Sequence, residues 1–302
     1  VWRRAAAWAR LVVKGTLFRA VAWLTSLLPP RASRALARPV AWLLWRTFSR
    51  LRQVSRANLA VCYPQLSPAA REHRGQEAMF HYACNALEVG LGWHRSRPSF
   101  DALFEPAVGW SHFEAGLAAG KGLLFLAPHY GAWELLGLAV SRDLGATLYK
   151  PAGDPAVDRV LRERRGRFGA NLVPANRRGL KVVMDRLRAG EAVGVLPDQE
   201  PRSGDGRFAP FFGVPALTGV LVPRLLQRTG ARAVFAGCRR LRGGRFETHV
   251  IPAGADLYSP DLDTALAALN RGVEDIIALA PDQYLWGYKR FRARPDGARS
   301  VY

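Results

Sequence analysis

A histidine and a glutamate stand five residues apart in Leu126-Ala-Pro-His-Tyr-Gly-Ala-Trp-Glu134, directly after the apolar run Gly122 to Ala127. On one continuous helix, residues five apart lie about 140° apart round the axis and do not meet. If Pro128 instead ends a strand, His129 sits in the turn, Gly131 permits tight geometry, and Glu134 enters the first turn of the next helix. The carboxylate is then expected to reach back to the imidazole. A histidine held by a carboxylate can take a proton from a hydroxyl, because the partner fixes the tautomer and stabilises the imidazolium as it forms. The start of the helix also offers backbone N–H donors where negative charge develops. The competing reading is a histidine that is merely structural. There is no G-x-S-x-G and no cysteine beside a candidate base, which favours direct attack by an external hydroxyl over a covalent intermediate. No His and carboxylate set has metal-ligand spacing, so no metal is expected.

Three further segments supply candidate binding groups. Lys150 ends the run Leu148-Tyr-Lys, and five arginines follow between Arg159 and Arg167. Arg159 and Arg162 share a helical face, with Arg164 and Arg167 nearby, and forked guanidinium donors suit phosphate oxygens. A solvated charged helix is the alternative. Asp198 and Gln199 stand at another strand exit, followed by Arg202 and a loop rich in Gly, Pro and Phe running to Pro215. Phe208, Phe211 and Phe212 could wall a channel for an acyl chain or form a small local core. The segment Pro281 to Pro295 alternates aromatic and basic groups, which suits a membrane-interface edge or a strut on the catalytic domain better than nucleic-acid stacking.

The elements that must position these groups follow from periodicity. Apolar positions recur every three to four residues from Leu36 to about His94, a helical entry region broken near Tyr63-Pro64, with Ser67 placed to cap the next helix. Beyond Pro98, buried strands at Gly122 to Ala127, Ala146 to Tyr149, Asn171 to Pro174, Ala192 to Leu196, Arg232 to Ala236 and Phe246 to Ile251 alternate with helices. The helices are expected at Trp133 to Asp143, Pro155 to Phe168, Arg177 to Arg188, Leu217 to Arg228 and Leu262 to Leu279. This alternation predicts an α/β fold with a mostly parallel central sheet flanked by helices, whose ligands sit at the carboxyl ends of strands. Residues 31–302 then form a single domain, helical over 31–97 and α/β over 98–302. Residues 1–30 mix Trp and Leu with Lys14 and Arg19, which suits an amphipathic or anchor helix associating with a membrane.

Composition limits the partners. Among 302 residues, 44 Lys+Arg against 24 Asp+Glu leave a formal charge of +20, so anionic partners are expected: a membrane surface, phosphorylated substrates, an acidic protein or nucleic acid. With 49% hydrophobic residues the chain can bury a large core, which excludes overall disorder. Cys62, Cys84 and Cys238 are scattered and odd in number, so they read as buried or incidental thiols.

Together the His129/Glu134 block, LYKPAGDPAVDRVLRERRGRFG, LPDQEPRSGDGRFAPFFG followed by PALTG, and the terminal PDQYLWGYKRFRARP resemble the late acyltransferases of lipid A biosynthesis, within the wider lysophospholipid acyltransferase superfamily. The early SRANLAVCYPQLS and HYACNALEV stretches also look like family features. The resemblance covers nearly the whole chain. It implies acyl transfer from acyl carrier protein, as co-substrate and with no cofactor, to a hydroxyl of a phosphorylated glucosamine disaccharide at the cytoplasmic face of the bacterial inner membrane. His129 would be the general base and Glu134 its orienting partner. Lys150, Arg159, Arg162 and Arg167 would bind headgroup phosphates, and Asp198 would lie near the active centre in a structural or binding role. The basic surface would also meet acyl carrier protein, which is acidic. Other lipid acceptors, among them a lysophospholipid, an ornithine lipid or another glycolipid, remain alternatives. A non-enzymatic basic protein that binds membrane or nucleic acid is a further alternative, although nucleic acid is not expected as a partner.

Overall fold

The computed structural model describes residues 20, 22–201 and 204–302. The expected membrane-associating helix of residues 1–30 lies largely outside the described residues, and Arg202 lies outside them as well. After the helical residues 20 and 22–26, three longer helices follow: α1 (Pro30–Thr47), α2 (Ser49–Cys62) and α3 (Pro68–His94). Pro30 opens α1 at a position where its missing N–H is no loss. Ser67 caps α3 as its sequence suggests, its hydroxyl accepting from the Ala70 N–H. The three helices share a core that includes Ala37, Trp45, Met79 and Phe80. A buried charge cluster ties α1 and α3 to the rest of the protein. Glu88 accepts from Arg240 Nε at 2.6 Å and from Arg34 Nε at 2.9 Å, while Asn85 accepts from the same Arg240.

Short helices α4 (Arg97–Asp101) and α5 (Trp110–Ala118) lead into the α/β part. There β1 (Leu123–Leu126) is followed by α6 (Trp133–Ala139), β2 (Ala146–Tyr149) by α7 (Pro155–Arg165), and β3 (Leu172–Pro174) by α8 (Arg177–Arg188). Next come β4 (Ala192–Val195), β5 (Gly206–Phe211), β6 (Val214–Gly219), α9 (Leu221–Thr229), β7 (Arg232–Arg240), β8 (Phe246–Pro252) and α10 (Leu262–Ala278). The central sheet has the order β3-β2-β4-β1-β7-β8, and every neighbouring pair is parallel except β7 with β8.

Alternate side chains of β1 enter opposite cores. Leu123 and Phe125 join Phe113, Leu135 and Leu138 on one face, whereas Leu124 and Leu126 join Val183, Leu187 and Leu225 on the other. Helices cover both faces, which is why β1 reads as an unbroken apolar run rather than an alternation.

One expectation is corrected. The Gly, Pro and Phe-rich stretch to Pro215 stops being loop at Gly206, and no helix starts at Leu217. Residues 206–219 form a separate antiparallel hairpin in which Pro210 pairs with Pro215, and α9 begins at Leu221. Proline cannot donate to a sheet ladder, so its density reads as loop; a two-stranded ribbon is all edge and tolerates it. The two-residue turn places Phe212 and Gly213 at φ 50° and 74°, the left-handed geometry of the tightest hairpins. Phe212 N–H donates to the Glu274 carboxylate at 2.7 Å, fixing the hairpin tip to α10.

Candidate active site

The reactive turn is built by the carboxyl ends of two adjacent strands. β1 delivers His129 and β4 delivers Asp198, and the parallel register that sets Leu126 opposite Val195 brings the two exits side by side. Asp198 Oδ1 lies 2.9 Å from His129 Nδ1, and Asp198 Oδ2 accepts the His129 backbone N–H at 3.0 Å and the Tyr284 hydroxyl at 3.1 Å. Asp198 is only 3% exposed, and three donors satisfy its charge. With Nδ1 engaged by Asp198, Nε2 is the ring nitrogen left for chemistry. The Gln199 side-chain amide lies 3.2 Å from it.

Glu134 is placed differently from its expectation. It stands in the first turn of α6 as the spacing predicts. Its hydrogen bonds, however, go to Arg165 at the end of α7, which donates Nε to one carboxylate oxygen at 2.9 Å and Nη2 to the other. The forked guanidinium matches both oxygens at once, whereas a histidine offers a single N–H. Glu134 remains close enough for its charge to act on His129.

Burial alone would lower the pKa of His129. The charge of Asp198, its hydrogen bond and the charge of Glu134 outweigh that, holding the imidazole above its ordinary value of 6.5. Burial would likewise raise Asp198, and its contacts with His129 keep it below the usual carboxylate value. Arg165 is pulled down by burial and more than restored by Glu134.

The turn itself depends on Gly131. At φ 56°, a Cβ built there would fall 1.8 Å from the Cys238 carbonyl oxygen, so only glycine fits where the loop crosses β7. The C-terminal segment closes the loop from the other side. Gly131 N–H donates to Gln283 O at 2.9 Å, and Leu285 N–H donates to His129 O at 3.2 Å.

His129 and Gln199 open onto a cleft of about 340 Å³, lined also by Trp133, Glu134, Gly137, Lys150, Arg165, Leu172, Leu196 and Leu221. Lys150 therefore sits where its strand-end position predicts. Arg159 and Arg162 do not line this cleft. They border an adjoining depression of about 590 Å³ that shares Ala170 and Leu172 with it. Arg167 turns away altogether, donating to Gly92 O at 2.8 Å and lying over the Phe168 ring. Neighbouring positions of α7 lie about 100° apart round its axis, and Arg167 lies beyond the last residue of the helix, so the five arginines cannot all face one site. Arg165, which no spacing singles out within the run, is the one that reaches the cleft.

The three phenylalanines are also relocated, because none of them borders the cleft. Phe211 is 1% exposed beside Tyr284 and Phe291, Phe212 packs on Tyr63 and Trp286, and Phe208 is exposed. Hairpin pairing turns Phe211 into the core, so the local-core alternative describes the first two. Tyr284 joins the site through its hydroxyl on Asp198, and no spacing in the sequence singles it out. Its only signal is its place in a terminal motif dense in aromatic residues.

A model of the family described as bacterial lipid A biosynthesis acyltransferase matches residues 7–293. The chain is 27% identical over 285 residues to the lipid A biosynthesis lauroyltransferase of Escherichia coli (strain K12), covering 93% of this chain and 92% of that protein. It is 28% identical over 276 residues to the palmitoleoyltransferase of the same organism, covering 89% and 85%. A myristoyltransferase from that strain is 28% identical over 278 residues, covering 87% and 83%.

Proposed function

Because the chain belongs to the bacterial lipid A biosynthesis acyltransferase family, we propose that it moves a fatty acyl group from an acyl carrier protein thioester onto a hydroxyl of a phosphorylated glucosamine disaccharide lipid. The observation that carries this reading is the His129–Asp198 pair at the cleft, with Asp198 on Nδ1 and Nε2 left on the cleft side. In the proposed reaction, Asp198 holds the proton on Nδ1, and Nε2 takes the proton of the acceptor hydroxyl as its oxygen attacks the thioester carbonyl. The C–O bond forms, the C–S bond breaks, and His129 returns the proton to the departing thiolate. The Gln199 amide must yield its place at Nε2 to the incoming hydroxyl.

Glu134 and Arg165 act here as a pair that shapes the cleft and adds negative charge near the imidazole. Lys150 in the cleft and Arg159 and Arg162 beside it provide the phosphate-facing side. We place the protein at the cytoplasmic face of the inner membrane. Support comes from the exposed Trp23, Leu24, Leu27, Leu36, Trp42 and Leu43, a concentration of apolar side chains that suits a lipid interface. Among the described residues, no helix is long and apolar enough to cross a membrane.

The test is transfer of labelled acyl chains from acyl carrier protein to the disaccharide lipid in detergent micelles. Wild type is expected to acylate the acceptor and His129→Ala to lose nearly all activity; equal rates would remove His129 from the chemistry.

A further inference from the structure

Resting on that reading, we infer that the acyl carrier protein docks at the β3 side of the cleft mouth, on the cations Arg177, Arg178 and Lys181 of α8 and Arg224 of α9. All four side chains are exposed, and none of them makes a hydrogen bond or an ion pair among the described residues. By contrast, Arg34, Arg165, Arg240 and Arg245 each face a carboxylate. Three of the four free cations fall in the first five residues of α8, whose first turn holds no acidic residue. The positive end of a helix disfavours cations, so helix stability does not account for them there. What they offer is side-chain charge, since Asn176 already caps the helix through the Gly179 N–H.

Their place is beside the chemistry without covering it. Ala175 N–H donates to Tyr149 O at 2.8 Å, which ties the entry of α8 to the strand end that carries Lys150. Ala175 and Leu221 both border the cleft. Arg177 and Arg178 come just after the first, and Arg224 follows Leu221 by three residues on one face of α9. The β3 exit stands three strand spacings from the β1 exit that bears His129, about 14 Å. A thioester on a long pantetheine arm spans such a gap.

The charge pattern selects the partner. On α7, Asp158 and Glu163 border the same depression as Arg159 and Arg162, so an acidic protein there would meet like charge. Residues Arg177–Met184 of α8 and the whole of α9 carry no carboxylate. A bilayer is the other anionic surface, and it takes apolar side chains together with cations. Among the described residues, α8 and α9 expose no large apolar side chain, whereas α1 exposes Trp42 and Leu43. That helix is tied to the turn between β7 and β8, with Arg31 Nε donating to Gly243 O at 2.9 Å and Arg34 Nη2 to Arg245 O at 3.1 Å. β3 and β8 are opposite edges of the sheet, five spacings or about 24 Å apart. The lipid-suited surface and the free cations therefore lie on different sides of the protein.

The experiment presents one fatty acyl chain either on acyl carrier protein or on pantetheine, a donor without charge, and measures kcat and KM. It compares wild type, Arg178→Glu, Arg224→Glu and the triple variant Arg177→Glu/Arg178→Glu/Lys181→Glu. For the triple variant, KM for the carrier-bound donor should rise by about thirtyfold, because charges at the rim of an interface act on encounter. Its kcat, and its activity with the pantetheine donor, should stay within about twofold, since its catalytic groups are untouched. Its melting temperature should not fall, because carboxylates suit that end of a helix. Arg242→Glu makes the same charge change between β7 and β8 and should leave KM for the carrier-bound donor nearly unchanged. Equal KM in the triple variant and wild type overturns the inference. So do equal losses with both donors, or a rise for Arg242→Glu that matches Arg178→Glu.

A second readout does not need turnover. Fluorescence anisotropy of labelled acyl carrier protein should show binding to wild type and about tenfold weaker binding to the triple variant. Phosphatidylglycerol vesicles should sediment both proteins equally. Release of the triple variant from the vesicles, with its affinity for the carrier unchanged, assigns the cations to the bilayer and overturns the inference. Wild type that neither binds the carrier nor accepts its acyl group, yet uses the pantetheine donor, removes the carrier from the proposed reaction and this docking site with it. Wild type that uses the carrier while the variants match it overturns the docking site alone.

Discussion

Replacing Asp198 by Asn tests the centre of the proposed chemistry, and its outcome can be worked from the hydrogen bonds. Oδ2 of Asp198 faces two donors, the fixed backbone N–H of His129 at 3.0 Å and the Tyr284 hydroxyl at 3.1 Å. In Asp198→Asn that side must keep the oxygen, because an amide NH₂ would meet the backbone N–H donor to donor. The amide nitrogen is therefore forced onto the Oδ1 side, 2.9 Å from His129 Nδ1. Nδ1 must then accept, the ring proton moves to Nε2, and the nitrogen facing the cleft can no longer take a proton. The same inversion in a serine-protease triad costs about 10⁴-fold in kcat, and a loss of about 10³–10⁴-fold is expected here with little change in KM. The assay is single-turnover acyl transfer, with ¹⁵N chemical shifts of the imidazole reporting the tautomer. A variant that keeps its fold and stays within about tenfold of wild type, while His129→Ala is inactive, would refute the claim that Asp198 sets the tautomer.

Four other outcomes follow from the same geometry. The base works only when neutral and its pKa lies above 6.5, so kcat/KM should fall with acidification through a midpoint above that value; a midpoint at or below 6.5 in a pH–rate profile contradicts the raised imidazole. Protonated His129 correspondingly adds stability that is complete below its ordinary value and lost as pH rises through the raised one, which pH-dependent melting should register. Glu134→Gln leaves the His129–Asp198 contact intact, so it should move the acid limb of the profile downward and cost about 1–2 kcal/mol in denaturant unfolding, between an exposed and a buried ion pair. Gly131→Ala should destabilise by about 2–4 kcal/mol and abolish transfer, because the Cys238 carbonyl has to move; a melting temperature equal to wild type would contradict the crowding.

Much of the architecture can be read in the sequence because its signals are local. The apolar run before His129, the capping Ser67 and the alternation of strands with helices each express a short-range preference, and the parallel sheet follows from them. The partner of His129 is a different kind of fact. Asp198 lies 69 residues away and meets the imidazole only because β4 pairs with β1 in a sheet whose order does not follow the chain. Glu134 is near in sequence, yet Arg165 takes it, and nothing in a run of arginines shows which one turns inward. The hairpin is hidden by its own composition, since Pro210 and Pro215 face each other in a ribbon that a propensity reading assigns to loop.

The segment around Tyr284 reaches back across more than half the chain to grip the turn at residues 129–131. On the ribosome, His129 emerges long before that clamp exists, and Asp198 emerges without the hydroxyl it later receives. Synthesis therefore delivers an unfinished centre until the last portion of the polypeptide docks, and a nascent chain or one cut before Tyr284 lacks the means to hold its base in working order.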